Sequence, residues 1–152
     1  MNDEVAGQDR TAERATSNRQ AGPRRYDLQQ RLIDFAVMMI DIVERLPNSR
    51  AGSHIAGQLI RCGTSPAANY GEAQSAESKK DFVHKMKICL KELREAAAWL
   101  AIIQRKGFIR TEEKLSKVAG ECNELTAIFV SSVATAEGRK RRQGEPDGAG
   151  RA

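Results

Sequence analysis

Three groups of residues have types and spacings that chemistry could use. The stretch RCGTSPAANYGEA, Arg61 to Ala73, gathers Gly63, Pro66 and Gly71 beside an arginine and hydroxyls, residue types that a phosphate-holding loop uses. Asp81-Phe82-Val83-His84 sets a carboxylate and an imidazole three residues apart, a spacing that metal-binding helical bundles use. Cys62, Cys89 and Cys122 are candidate metal ligands or disulfide partners.

Each group falls short of its chemistry. A phosphate loop needs its glycine spacing followed by Lys and Ser/Thr, after a strand and before a helix, and that context is absent. A two-metal carboxylate site needs two E-x-x-H pairs and two further Glu, whereas His54 is the only other histidine. No cysteine pair has the C-x-x-C spacing, and an odd number builds no disulfide framework. The cysteines read instead as small buried hydrophobes. Ser, His and acidic residues form no nucleophile motif. The expectation is a protein that is not an enzyme, with no cofactor and no metal.

A basic strip carries more information. At about 100° per residue, Lys80, His84, Lys87, Lys91 and Arg94 share one face of a helix, with Lys79 beside them. A neighbouring strip holds Ile88, Glu92, Glu95 and Trp99, whose apolar members have no place in a simple core seam. Two readings stay open: a solvated face with local ion pairs, or a basic strip for nucleic acid beside a subunit contact. Arg139, Lys140, Arg141 and Arg142 could reinforce the basic strip.

Four amphipathic helices must position these residues. Leu28, Leu32, Phe35, Met39, Ile42 and Leu46 mark the seam of the first, which Pro47 ends. A second row, Ile33, Val37, Ile40 and Val43, makes its apolar face wider than one core needs, which points to a symmetric homo-oligomer. The second helix is expected to start near Ser53 and to end near Gly71, kinked at Pro66; the competing reading is a break there, with Ser65 capping a new short helix. Ser78 caps the third, whose seam runs Phe82, Met86, Cys89, Leu93, Ala96, Leu100 and Ile103 to a left-handed stop at Gly107. Thr111 caps the fourth, with the seam Leu115, Val118, Cys122, Leu125, Phe129 and Ser132. The fold is therefore read as an all-α antiparallel four-helix bundle over residues 26–137. Residues 1–25 and 138–152 read as a disordered arm and a basic disordered tail.

Bulk properties agree with this reading. The 152 residues suit one domain, and their net charge of +5 is uneven: the middle and the tail are basic while the fourth helix is acidic. No apolar run reaches membrane-helix length and MNDEVAGQDR lacks a signal-peptide centre, so a cytoplasmic protein without a membrane partner is expected.

Thr64-Ser65, Ala68-Asn69-Tyr70, Glu72-Ala73, the run Ser78 to Lys85, Lys91-Glu92, Glu95 and Trp99-Leu100 together resemble a bacterial four-helix-bundle family. That family includes proteins encoded in intervening sequences of 23S ribosomal RNA and, as a relative, the accessory variability determinant of diversity-generating retroelements. The similarity spans about residues 26–136, with Pro66-Ala67 where that subgroup often has Ile/Val-Gly. The resemblance implies a four-helix protomer, a homopentamer, a basic surface for RNA or DNA and, for the retroelement relative, work beside a reverse transcriptase. The resulting expectation is a noncatalytic, oligomeric nucleic-acid-binding accessory protein. Its rival is a structural or protein-interaction scaffold that binds no nucleic acid.

Overall fold

A computed structural model describes residues 27–138. Arg139, Lys140, Arg141 and Arg142 lie outside them, as do the expected N-terminal arm and the rest of the tail. Four helices make up the described chain: α1 (Leu28–Val43), α2 (Arg50–Gln74), α3 (Lys79–Lys106) and α4 (Glu112–Ala136). Each packs on its chain neighbour, and α1 closes onto α4, giving an antiparallel ring of four. Diagonal helices meet through side chains, as in the edge-on contact of Tyr70 with Phe129, ring centroids 5.9 Å apart.

The seams read from periodicity form one core. Leu32, Phe35 and Met39 from α1, Leu93 and Ile103 from α3, and Leu125 and Phe129 from α4 are fully buried. Leu90 joins the core from beside the α3 seam. In α4 the last buried position is Val133, with Ser132 half-buried, because the step from Phe129 is four residues and not three. On the opposite side of α1, Ile33, Val37 and Ile40 are exposed.

Local chemistry sets most helix ends. Asp27 Oδ1 accepts from the Gln29 amide at 3.0 Å, and Ser78 Oγ accepts from the Asp81 amide at 3.1 Å. Gly107 stops α3 in the left-handed region (φ 69°), a conformation that costs glycine little, and the Phe108 amide reaches back to the Ile103 carbonyl. Thr111 occupies the N-cap of α4 but makes no side-chain cap bond. The second helix starts earlier than the sequence suggests: Ser49, not Ser53, is the cap, its Oγ accepting from the Gly52 amide at 3.1 Å. It also ends later, at Gln74 and not near Gly71.

The stretch from Arg61 to Ala73 lies inside α2, which runs unbroken through Pro66. The reading with a new segment capped by Ser65 is therefore excluded. Pro66 cannot donate to the carbonyl four residues earlier, yet its ring is buried and its own carbonyl accepts from the Cys89 thiol at 3.5 Å. Gly63 has a packing role, since a Cβ placed there would stand 2.8 Å from both Cβ and Cγ of Met39. This segment is the α1–α2 contact, where the two backbones approach closely, and Gln29 of α1 donates to the Ala67 carbonyl at 2.9 Å. Asn69 bonds back to Ser65 within the helix, and Glu72 pairs with Lys85 of α3 at 2.6 Å.

Candidate nucleic-acid interface

The capped start of α3 fixes its rotation. With Met86, Cys89, Leu93 and Ala96 turned into the core, Lys80, His84, Lys87, Lys91 and Arg94 must point outward, and all five are exposed. Lys79 is exposed beside them. Lys79, Lys80, Lys91 and Arg94 make no ion pair among the described residues. Lys87 differs, because its Nζ pairs with the carboxylate of Glu137, just past the end of α4.

That pairing follows from the antiparallel packing, which lays the end of α4 beside the start of α3. The two helices flank an open basic recess of about 800 Å³ lined by Lys79, Lys80, Val83, His84 and Lys87 with Ala136 and Glu137. Among the described residues, Glu137 is the one acid on its wall. A carboxylate held against Lys87 competes with any phosphate seeking the same ammonium. Glu137→Gln is therefore expected to tighten nucleic-acid binding about two- to fivefold at low salt, the effect of removing one exposed ion pair. Anisotropy titrations of the two proteins measure it; equal affinities would show that Lys87 does not contact phosphate.

The strip of Ile88, Glu92, Glu95 and Trp99 lies at the α2–α3 seam, and its charges are engaged within the protomer. Arg61 of α2 reaches Glu92 at 3.1 Å and also pairs with Glu95. The Arg61 hydrogen bond holds the Glu95 carboxyl below the usual carboxylate range, and the Trp99 indole N–H, donating at 3.3 Å, acts in the same direction. Trp99 is half-buried against the core and meets His54 edge-on, ring centroids 5.9 Å apart. Ile88 is half-buried nearby on α3. Sequence periodicity missed Arg61 and His54 as partners of this strip, since neither lies on α3. On the opposite side of the bundle Arg31 bridges α1 to α4, with Nε at 2.6 Å from Glu121 and a further bond to Glu124.

The thiols lie inside the core, fully buried, and each donates to a carbonyl; two of these bonds cross between helices, Cys89 to Pro66 and Cys122 to Leu93. No group of three or more His, Cys, Asp or Glu residues that could hold a metal ion occurs among the described residues. No helix there is long and apolar enough to cross a membrane.

The profile of the 23S rRNA-intervening sequence protein family matches residues 24–131. No curated protein matches the chain. A crystal structure of a protein of unknown function from the S23 ribosomal protein family of Bacteroides thetaiotaomicron VPI-5482 is 30% identical, with a TM-score of 0.64. The similarity covers 70% of this chain and 97% of that one. With four helices, a shared core and a family profile matching most of its length, the chain belongs to the 23S rRNA-intervening sequence protein family.

Proposed function

We propose that this protein is a noncatalytic RNA-binding factor that works as an oligomer, with the outer face of α3 as its contact surface. The observation that carries this reading is the exposed row Lys80, His84, Lys87, Lys91 and Arg94, turned outward by the core, of which only Lys87 is ion-paired among the described residues. Membership of a family named for an rRNA intervening sequence makes RNA the first nucleic acid to test. Lys and Arg contacts to phosphate carry little base information, so binding is expected to be sequence-tolerant and steeply salt-dependent.

One strip neutralises few phosphates, and repetition around an oligomer would raise avidity without new kinds of contact. The exposed Ile33, Val37 and Ile40 of α1, with Ile60 three residues before Gly63 on the neighbouring α2, offer more exposed large apolar side chains than the single ones on α3 and α4, Ile102 and Val130, and are the surface proposed for a second copy. Trp99 and Glu95 already serve their own chain, so α1 takes precedence over them in this reading. Five subunits and assistance to a reverse transcriptase are finer forms of the same proposal, to be tested by light scattering and by co-purification with such an enzyme. The scaffold reading draws support from the internal pairing of Arg31, Arg61, Lys85 and Lys87, which shows that part of the basic charge is structural.

The deciding experiment titrates structured RNA and duplex DNA with the wild type and with Lys87→Glu/Lys91→Glu at several salt concentrations. The variant reverses two charges per strip, and affinity is expected to fall at least tenfold with oligomer size unchanged. A shallower salt slope should accompany the loss, by roughly 0.7–0.9 for each phosphate contact removed. Unchanged binding would remove the strip as the site, and no binding by the wild type would favour the scaffold.

A further inference from the structure

Two recesses meet at the end of the bundle where α1 begins and α4 ends. One is the basic recess described above. The other is an apolar cleft of about 380 Å³, walled by Tyr70, Phe82 and Met86 and edged by Ser132 and Thr135. Ala136 lines both, and α3 supplies successive residues to each: Phe82 and Met86 to the cleft, Val83 and Lys87 to the basic side. The cleft reaches from Leu28 of α1 to the end of α4, helices that meet over fewer residues than any other adjacent pair.

This juxtaposition has the chemistry of a nucleotide. A base has two apolar faces and a polar edge, which suits a cleft with half-buried aromatic rings and hydroxyls at its rim. The volume lies within the roughly 300–1,000 Å³ of ordinary ligand pockets. Its phosphate would fall toward Lys79, Lys80 and Lys87, which a purely apolar occupant would not need. A base inside a duplex cannot enter, because it remains stacked and paired.

We propose that this end of the bundle takes an unpaired nucleotide, its base in the Tyr70–Phe82 cleft and its phosphate on the adjoining lysines. The inference rests on the nucleic-acid reading above and adds to it a preference for single strands, loops or ends. Base contact then supplements the phosphate contacts of the α3 strip, while duplexes use the strip alone.

The test compares three probes on the full-length protein at low salt: a short single-stranded RNA, a strand of equal length and charge made abasic, and the RNA duplex. The base-bearing strand is expected to bind about 5- to 150-fold more tightly than the abasic one, the range for one stacked base. Phe82 packs on the core, so its truncation could disturb folding; Thr135 is exposed at the rim, and Thr135→Trp closes the cleft from outside. That variant should bind all three probes, with the advantage of the base-bearing strand lost and duplex affinity unchanged. Equal binding of base-bearing and abasic strands by the wild type, or a preference that survives Thr135→Trp, would overturn the proposal. If the duplex binds in either of those cases, the α3 strip stands without the cleft. If no probe binds, both readings fall together.

Discussion

Between pH 9 and pH 11 the folded state is expected to lose up to about 4 kcal/mol of stability per pH unit, through its three cysteines. Burial pushes the thiols of Cys62 and Cys89 from an ordinary 9.0 to about 12, and that of Cys122 to about 11. The folded values lie above the unfolded ones, so this contribution is fully present below pH 9 and is lost as the pH rises toward the folded values. Each thiol that ionises only in the unfolded chain costs about 1.4 kcal/mol per pH unit. The loss sums to about 7 kcal/mol by pH 11, enough to bring a domain in the lower part of the usual range of about 5–15 kcal/mol near its unfolding midpoint. Urea titrations at several alkaline pH values, on the wild type and on Cys62→Ala/Cys89→Ala/Cys122→Ala, isolate the effect, because lysines and tyrosines titrate in both proteins. The triple variant should start less stable and decline less steeply. Parallel declines would show that the thiols are not the cause. At neutral pH the same burial should keep all three unreactive to a thiol reagent until the protein unfolds.

Gly63→Leu is expected to cost about 3 kcal/mol, the upper part of the range for forcing side-chain atoms into a filled contact. The first added carbon would already stand 2.8 Å from Cβ and Cγ of Met39. Met39 can turn its distal atoms aside but cannot move its Cβ without shifting α1. Gly57→Ala, six residues earlier in the same helix, should instead add about 1 kcal/mol, since nothing stands within 4 Å of a Cβ there and alanine favours helix. Thermal melts of the two variants should move in opposite directions. A wild-type melting temperature for Gly63→Leu would show that the α1–α2 contact yields easily.

The sequence made α3 almost fully legible because its signals are local. Ser78, Gly107 and an unbroken apolar spacing each act within a turn or two, so they fix the ends, the core face and, by subtraction, the exposed basic face. Alpha2 was harder. Ser49 and Ser53 are equally good caps in isolation, and the choice rests on how Pro47 ends the preceding connection. Pro66 reads as a bend or a break, and only the packed structure decides that the helix continues through it. The partners of Glu92, Glu95 and Trp99 were not legible, because Arg61 and His54 reach them only once two helices have a relative register. The pairing of Lys87 with Glu137 and the cleft at the bundle end have the same origin.

The loose closure of α1 on α4 also has a consequence for the speed of folding. The other three pairings join consecutive helices across short connections, so they form at small loop-closure cost. The α1–α4 seam spans nearly the whole described chain and has the least surface with which to offset that cost. It should therefore be weakly formed in the transition state. Arg31→Met, which removes its bridge to Glu121 and Glu124, is expected to speed unfolding while leaving the folding arm of a chevron nearly unchanged. During synthesis the first helix to emerge must wait for the last before its second neighbour is in place.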